Sequence, residues 1–340
     1  MSQLDRGGIA GRCATPAGAR PGGTGAGRRA NTLVSPASTR RVFVAMAGAV
    51  VIVPLLGTIA AVWLAVDYGV SWLALVMFAI AYVLTTLGVT LGFHRYFAHR
   101  SFRTSPPMRV AFIILGSMAL QGSLLYWVST HRRHHQFSDT PDDPHSPHMD
   151  GLSPLGWWRG LWHSHIGWMF AAEVTNAVRF APDIIRDPLV FRTQLRYLMW
   201  AGLGLALPAV VAAGLTRSWY GMLETFLWAG PVRLFVVHHA SWAVGSVSHM
   251  YGSRPFVTHD HSANNFWVAL LAFGEGLQNN HHAFPAAARH AFRWWEPDLT
   301  GYVISSLAAT KVIWDVVRPS AETVAQRRPT ASIGSIVPGA

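Results

Sequence analysis

Apolar residues along this chain fall into long runs separated by polar segments of unequal length. Four runs are long enough to cross about 30 Å of hydrocarbon as helices, and they cover residues 42–66, 70–91, 195–215 and 222–244. Short links, "DYG" and "TRSWYG", join the first two runs and the last two. The pattern therefore predicts two helical hairpins that span a membrane.

A fifth apolar stretch, residues 110–128, contains the polar residues Gln121 and Ser123 and is followed by Ser129. If it crossed the membrane, the His-rich segments on its two sides would lie on opposite faces. We therefore expect it to lie along the interface or to re-enter. The polar segments 92–109, 129–194 and 245–340 would then form a cap. The predicted fold is an all-α integral membrane protein with four transmembrane helices in two hairpins, an interfacial helix and a cytoplasmic helical cap.

Composition supports this class. Of 340 residues, 51% are apolar and only 13% are charged, whereas soluble domains carry about 25% charged residues. The net charge of +11 lies largely in the N-terminal tail and beside apolar runs, where basic residues indicate a cytoplasmic side. We therefore expect no nucleic-acid partner. The single cysteine, Cys13, excludes a disulfide framework and a Cys-rich metal site.

The two ends of the chain differ from its middle. Residues 1–41 are rich in Gly, Ala, Pro and Arg without an apolar period, which predicts a disordered basic tail. Residues 42–318 form the predicted membrane domain, and residues 319–340 are predicted to be a disordered C-terminal tail. With the basic tail inside, both termini and the cap would face the cytoplasm, and we expect a bacterial inner membrane.

All 17 histidines follow Gly92, and the first cluster is "GFHRYFAHRSF" with His94 and His99. Five residues turn an α-helix by about 140°. The two rings can therefore converge only at a helix end or around a curved turn.

The second cluster, "THRRHHQFSD", places His131, His134 and His135 on one helical face. Neutral imidazoles in this arrangement commonly hold a divalent transition metal. The alternative is a basic surface helix, because Arg132 and Arg133 lie inside the motif.

The third cluster, "GEGLQNNHHAFP", repeats the spacing of the second with Gln278, His281 and His282. His249, just beyond the last apolar run, is a further candidate. His238 and His239 fall inside that run, where ionisable residues are functional candidates; packing or substrate contact is an alternative to ligation. We expect the remaining histidines to lie in loops or at the interface, outside the site: His145, His148, His163, His165, His259, His261 and His290.

These three clusters, in this order and with these gaps, resemble the His boxes of the membrane-bound fatty-acid desaturases, which are di-iron enzymes. The pattern is HxxxxH, HxxHH and a final xxNHH box, with a pair of membrane spans between the second and third. Flanking residues are similar too: "RSFRTSP", "HHQFSDTPDDPHSP", "SHIGW" and "HHAFPAAARHAF". The resemblance covers about residues 91–295.

The resemblance implies O2-dependent formation of a cis double bond in a saturated acyl chain, at a centre of two iron ions. It implies eight histidine ligands: His94, His99, His131, His134, His135, His249, His281 and His282. Gln278 stands where most relatives have His, and Gly245 where many have Asn. A glutamine can ligate through its amide oxygen or hold a water. We include Gln278 among the candidate ligands.

The resemblance also bears on substrate and partners. Ser129-Thr130 stand where the acyl-CoA branch has Arg-Asp, which favours a glycerolipid-linked acyl chain over acyl-CoA. Branch resemblance suggests the delta-9 position, as in stearoyl desaturases. Trp242 matches a position that lines the substrate tunnel, and His239 is a second candidate for substrate contact. No electron-transfer domain is recognisable, so we expect a separate donor, a ferredoxin or similar protein with its reductase.

Two alternatives remain open from the sequence. A related His-box hydroxylase or ketolase would use the same metal site with a different product. A His-rich metal transporter would need polar residues along several spans. Only one run is interrupted in this way, by Glu224, Arg233, His238 and His239.

Overall fold

The computed structural model describes residues 30–34, 36–148, 156–171 and 173–329. It is mostly helical. The helices in chain order are α1 (Ala37–Tyr68), α2 (Trp72–Leu87), α3 (Pro106–Met118), α4 (Leu124–Phe137), α5 (Gly156–His165), α6 (Ala177–Phe180), α7 (Pro182–Arg186), α8 (Pro188–Gln194), α9 (Tyr197–Thr216), α10 (Trp219–Leu227), α11 (Arg233–Gly245), α12 (Phe266–Leu271), α13 (Gln278–Ala283), α14 (Leu299–Ala309) and α15 (Ala321–Gln326). Gly88–Ala98 and Trp228–Val232 are π-helical, and Gly167–Phe170 and Val247–His249 are 3₁₀ turns.

Four short strands form two antiparallel pairs. They are β1 (Thr32–Val34), β2 (Arg103–Thr104), β3 (Glu173–Thr175) and β4 (Ile313–Trp314). Strand β1 pairs with β3, with Thr32 opposite Thr175. Strand β2 pairs with β4, with Arg103 opposite Trp314. The pairs attach both ends of the described chain to the polar region.

Three helices of the described chain are long and apolar enough to cross a membrane: Ala37–Tyr68, Trp72–Ala98 and Tyr197–Thr216. They correspond to three of the four predicted runs. The fourth, residues 222–244, is helical throughout and includes the π-helical segment Trp228–Val232, but it is not among these three spans. The four-span topology therefore stays a prediction.

The polar residues in that fourth run bind neighbouring elements. Glu224 accepts hydrogen bonds from the backbone N–H and the hydroxyl of Ser71, at 2.8 and 2.7 Å. The guanidinium of Arg233 donates to the carbonyl of Met118 at 2.8 Å. His238 Nε2 lies 2.8 Å from the carbonyl oxygen of Ala119. These groups join helices to one another, so they do not extend a polar path through the membrane.

The stretch 110–128 is not one helix. It divides between α3 and α4 at residues 119–123, where Leu120 and Gly122 have φ of 56° and 97°. Helix α3 has 13 residues, which at 1.5 Å per residue is about 20 Å, too short to cross alone. The expectation that this stretch does not span as a single helix is consistent with that break.

The π-helical segment Gly88–Ala98 packs closely on α3. A Cβ atom on Gly88 would lie 2.3 Å from the backbone nitrogen of Gly116, so only glycine permits this approach. Beside this contact, Phe93, Ile113 and Leu124 are fully buried in one apolar cluster. The segment is thus held rigidly at the membrane end of the polar region.

The structure departs from the predicted boundaries at both ends. Helix α1 begins at Ala37, within the region predicted to be a tail, because the mostly polar residues 37–41 add about one helical turn before the apolar run. Residues 1–29 lie outside the described chain. Within the predicted C-terminal tail 319–340, Ala321–Gln326 is helical, and residues 330–340 lie outside the described chain. Ser320 caps it by accepting from the Thr323 N–H, and Val324 packs against an apolar cluster that includes Phe256.

Candidate metal centre

The first His box lies where the second predicted span ends, and a π-helical hydrogen bond brings its histidines together. The N–H of His99 donates to the carbonyl of His94 at 3.1 Å, an i to i+5 contact that defines the π-helix. The two rings lie 4.8 Å apart. An α-helix would separate them, so the π-helix supplies the curved turn that the sequence required.

The second box lies on α4. Ser123 caps this helix by accepting from the Tyr126 N–H. His131 and His135 are four residues apart and therefore neighbours on one face, with ring centroids 4.6 Å apart. His134 is turned from them towards His249 and His282, at 5.1 Å from each ring. The short helix α4 thus contributes histidines to two separate groups.

The third box is the six-residue helix α13, and its two asparagines hold it in place. Asn279 accepts from the N–H of Phe256 at 2.8 Å and donates to its carbonyl at 3.1 Å. Asn280 donates to the carbonyl of His290 at 2.8 Å and to Glu296 at 3.0 Å. All residues of α13 are buried. The "NN" between Gln278 and the histidine pair therefore fixes the orientation of the helix.

Five histidines form the first group, with one ring nitrogen of each within 4.8 Å of the others: His94, His99, His131, His135 and His281. Three Nε2 pairs face each other directly. His94 lies 3.0 Å from His281, His99 lies 2.7 Å from His131, and His281 lies 2.8 Å from His135.

Three histidines form the second group: His134, His249 and His282. All three Nε2 atoms are buried without a hydrogen-bond partner. Each Nδ1 atom instead faces a carboxylate. His134 lies 2.9 Å from Asp143 and His249 lies 3.1 Å from Asp139, while His282 is in direct contact with Asp260. Such carboxylates fix the tautomer of a metal-binding imidazole.

Burial keeps most of these rings neutral. It lowers the pKa of His99, His131, His135 and His281 well below the usual value. Burial lowers the pKa of His282 to about 4, although Asp260 opposes the shift. Burial alone would also lower the pKa of His249, but the charge of Asp139 outweighs it and raises that pKa. Neutral imidazole is the form that ligates a metal.

The donor set fits metal ions at both groups. Polar atoms in protein interiors are rarely left unpaired, yet three Nε2 atoms converge here without partners. The amide oxygen of Gln278 is also buried without a hydrogen-bond partner. Imidazole nitrogen suits iron and related first-row ions. All eight histidines predicted from the sequence enter the two groups. The assignment of Gln278 as a ninth ligand stays a prediction.

A third set, His94, Glu275 and His290, shares His94 with the first group. Glu275 contacts His94 Nδ1 and accepts from Arg95 at 3.1 Å. His290 is 1% exposed, and its ring lies 4.5 Å from that of His281. We expected His290 to lie outside the site, but the structure places it against the first group. No spacing rule marks it, because it follows the third box without a repeat.

The four carboxylates that contact the histidines were not singled out from the sequence. Asp139 and Asp143 lie in "SDTPDDPHSP", and Asp260 lies in "THDHS". Both segments resemble polar loops, and only their closeness to His-rich segments could have marked them. His145 also enters this region: its ring stacks on that of His134 at 4.4 Å, and it joins His134 and Asp143 in a further set of donors.

A cavity of about 460 Å³ reaches the histidines. Its lining includes His94, His131 and His134, and apolar side chains such as Met46 and Trp242. The predicted wall residue Trp242 is therefore on the cavity. His239 is not among the described lining residues; its Nδ1 lies 3.0 Å from Nε2 of His165.

Comparisons with known proteins agree with this geometry. The sequence model of the fatty acid desaturase family matches residues 70–302. A hex-5-enoyl-[acyl-carrier protein] acetylenase of Moorena producens (strain JHB) is 40% identical over 279 residues, 82% of this chain and 87% of the relative. An sn-1 stearoyl-lipid 9-desaturase of Anabaena variabilis is 38% identical over 240 residues, 70% of this chain and 81% of the relative.

An acyl-CoA 5-desaturase of Anemone leveillei, AL21, is 36% identical over 258 residues, 75% of this chain and 74% of the relative. The names of these relatives differ in acyl carrier and in product, but they share one family. Buried histidine groups and long apolar helices are what the di-iron, membrane-bound members of that family require. The chain therefore belongs to the fatty acid desaturase family of oxidoreductases.

Proposed function

We propose that this protein is an O2-dependent di-iron desaturase that introduces a cis double bond at the delta-9 position of a saturated acyl chain carried on a glycerolipid. The observation that carries the proposal is the convergence of eight histidines in two adjacent groups at a largely apolar cavity. Removing hydrogen from an unactivated carbon needs a strong oxidant, because such a carbon offers neither an acidic proton nor a leaving group.

In the proposed reaction a –CH2–CH2– unit becomes –CH=CH–. O2 takes four electrons, two from the acyl chain and two from the external donor, and becomes two molecules of water with two protons from solvent. Two iron ions held by the eight histidines, with Gln278 as a further ligand, would supply this oxidising chemistry. The protein's own part is to hold the histidines neutral, to orient the acyl chain and to exclude bulk water.

The cavity supports the acyl-chain assignment. Its apolar wall includes Met46 and Val50 of α1 and Trp242 of α11. An extended hydrocarbon bound there would pass beside His94 and His131. We propose that Trp242 contacts the acyl chain, and that His239 acts on the shape of this wall through its ring contact with Trp242, at 5.1 Å.

We propose the acyl carrier from the charged residues that line the cavity. Coenzyme A presents several phosphates, which proteins bind with clustered arginine and lysine. Arg133 is the one such residue on the described cavity lining, and its Nε already donates to the carbonyl of Asp142 at 2.9 Å. Of Ser129 and Thr130, only Thr130 is on this lining, and it adds a hydroxyl group. This chemistry favours a glycerolipid over acyl-CoA.

The electron donor is proposed to be a separate protein of the ferredoxin type with its reductase, on the cytoplasmic side of a bacterial inner membrane. Support comes from the basic balance of the chain, since an acidic donor is attracted to a positive surface. The N-terminal segment is strongly basic, which favours a cytoplasmic N-terminus.

Expression in a host without its own desaturase tests the proposal. Lipid extracts are compared by mass spectrometry with double-bond mapping for the wild type, His134→Ala and His259→Ala. We expect a loss of two hydrogens and a bond at carbon 9 with the wild type and with His259→Ala, whose exposed side chain lies outside both groups. His134→Ala should give no product.

Other products would assign other functions. A gain of one oxygen would assign the chain to the hydroxylases or ketolases of the same site. A triple bond, which is a loss of two hydrogens from an existing double bond or of four from the saturated chain, would assign an acetylenase, the activity named for the Moorena relative. Product on coenzyme A or acyl-carrier protein but not on lipid would contradict the proposed carrier and leave the desaturation intact.

A further inference from the structure

The two histidine groups differ in the charge that surrounds them. Every histidine of the second group has its own buried carboxylate at Nδ1: Asp143 for His134, Asp139 for His249 and Asp260 for His282. In the first group, Glu275 contacts His94. Among the described residues, no carboxylate forms an ion pair with His99, His131, His135 or His281.

The three aspartates are held in place by donors other than the histidines. Asp139 also accepts from the N–H of His261 at 2.7 Å. Asp143 accepts from the N–H groups of Asp139 and His145 at 2.9 and 3.0 Å. Asp260 accepts from the N–H of Ser262 at 3.1 Å. These bonds favour the charged carboxylate.

The carboxylate that contacts the first group, Glu275, also has an arginine partner. Glu275 Oε1 accepts from Arg95, which is fully buried and also pairs with Asp298 at 2.8 Å. No such arginine pairs with Asp139, Asp143 or Asp260 through its side chain in the described chain. In the described chain the second group therefore faces three aspartates without an arginine partner, although Asp139 also lies 3.4 Å from the ring of His261. The first group faces one glutamate, which shares Arg95 with Asp298.

Negative charge next to a ligating imidazole strengthens it as a donor and stabilises the more highly charged metal ion. Charges interact strongly at these distances in a buried site. The second group has two fewer imidazoles than the first, and Gln278, one turn before His282 on α13, is a neutral oxygen donor. The negative charge of the three aspartates therefore offsets the smaller number of imidazole ligands in the second group.

We propose that the two metal positions are electronically unequal: Asp139, Asp143 and Asp260 act as positioning residues that make the three-histidine position the one that stays ferric when the centre is half reduced. The five-histidine position is then the first to become ferrous. This inference rests on the di-iron part of the proposed function, and it concerns the order of reduction, which that function does not specify.

The test is a stepwise reductive titration of the purified holoenzyme loaded with ⁵⁷Fe, followed by Mössbauer spectroscopy. We expect two distinct iron signals. Asp260→Asn and Asp143→Asn should perturb the same signal, and Glu275→Gln should perturb the other. In half-reduced wild type, the signal that remains ferric should be the one that the aspartate variants perturb. In Asp260→Asn, the ferrous-to-ferric ratio of that iron should rise by roughly tenfold at the same degree of reduction, a change as large as the smaller effects that outer-shell partners have on metal affinity.

Two further variants separate charge from structure. Asp260→Glu keeps the charge and should restore the wild-type order of reduction. Asp187→Asn, which removes a carboxylate bound to Arg109 outside both groups, should leave both signals unchanged. If Asp260→Asn does not fold, Asp143→Asn carries the test, because the two act on different histidines.

The inference is overturned if the aspartate variants perturb both signals equally, or if the iron they perturb is reduced first in the wild type. Either result would leave the desaturase assignment intact, since product analysis decides that independently. Wild-type protein that binds no iron would remove the di-iron proposal and this inference with it, even if a double bond were formed.

Discussion

Nε2 of His94 lies 3.0 Å from Nε2 of His281, although 187 positions separate the two residues in the chain. At most one of two neutral rings can donate a proton to such a contact. Both rings also approach His99, at 4.8 and 4.6 Å between centroids. Nε2 of His281 also lies 2.8 Å from Nε2 of His135, and with one proton or one lone pair it cannot form a good hydrogen bond with both neighbours. This arrangement costs free energy that a bound metal recovers.

Metal binding should therefore stabilise the protein. Removal of metal with a chelator is expected to lower the unfolding temperature, and adding Fe²⁺ without oxygen should restore it. A ligand at about 100 times its dissociation constant stabilises the native state by about 2.7 kcal/mol. Thermal unfolding in detergent, followed by circular dichroism, measures the shift. In His281→Ala the increase on adding iron should be smaller than in the wild type, whereas an equal increase would contradict ligation by His281.

Gln278 should affect the binding of iron at one of the two metal positions only. Gln278→His is expected to raise iron retention against a competing chelator, because an imidazole is a stronger donor than an amide for this metal. Gln278→Ala should lower retention, roughly 10-fold or more. Iron per protein after dialysis is the measurement. If both variants retain iron like the wild type, then Gln278 is not a ligand and its unpaired oxygen has another cause.

The volume of the cavity should limit acyl-chain length. Ala47 of α1 lines the cavity and is buried, so Ala47→Phe reduces the space for hydrocarbon. We expect the longest accepted chains to lose the most kcat/KM, with a shift of products towards shorter acyl groups. Ala49→Phe makes the same change at an exposed position of α1 that does not line the cavity. If the product profiles of both variants change equally, the assignment of this cavity as the acyl-chain site is contradicted.

Three of the four predicted apolar helices and the closeness of the eight histidines could be predicted from the sequence, because each depends on local features. Hydropathy over about 20 residues identifies a spanning helix, and the spacing of His131, His134 and His135 follows from the period of α4. The resemblance to a family then joins distant clusters. The resemblance does not predict that the histidines of α4 divide between the two groups, with His134 in one and His131 and His135 in the other. This division depends on where α13 and His249 pack against α4.

Features that depend on tertiary contacts were missed. The sequence required a helix end or a curved turn between His94 and His99, but no spacing rule anticipates the π-helical register of Gly88–Ala98, which packs against α3. The carboxylates at Asp139, Asp143 and Asp260 lie in segments with the composition of loops. Asp139 and Asp143 lie in a turn with backbone hydrogen bonds, whereas the carbonyl of Asp260 accepts from the side chains of Arg254 and Thr258. Local pattern identifies such a residue as polar, and only the fold shows which ring it faces.

A carboxylate outside the metal groups braces the end of the π-helical segment, and it gives a pH-dependent prediction. Asp183 accepts from Arg132 at 2.6 and 3.0 Å and from Arg100 at 2.8 Å. Arg132 in turn donates to the carbonyl groups of Phe97 and Ala98 at 2.7 and 3.1 Å. Burial alone would raise the pKa of Asp183, but the arginines outweigh it and hold that pKa well below its usual value of 3.8.

Asp183→Asn should destabilise the metal-free protein by about 1.5–3 kcal/mol at pH 7, the range for hydrogen bonds to charged groups. Because the folded-state pKa is depressed, the stabilisation is complete above pH 3.8 and declines as pH falls towards that depressed value. Unfolding temperatures of the two proteins from pH 7 to pH 2.5 should therefore converge at the acid end. Asp315→Asn removes an exposed pair with Arg103 and should have little effect at any pH. A gap between wild type and Asp183→Asn that stays constant down to pH 2.5 would show that the charge of Asp183 is not its cause.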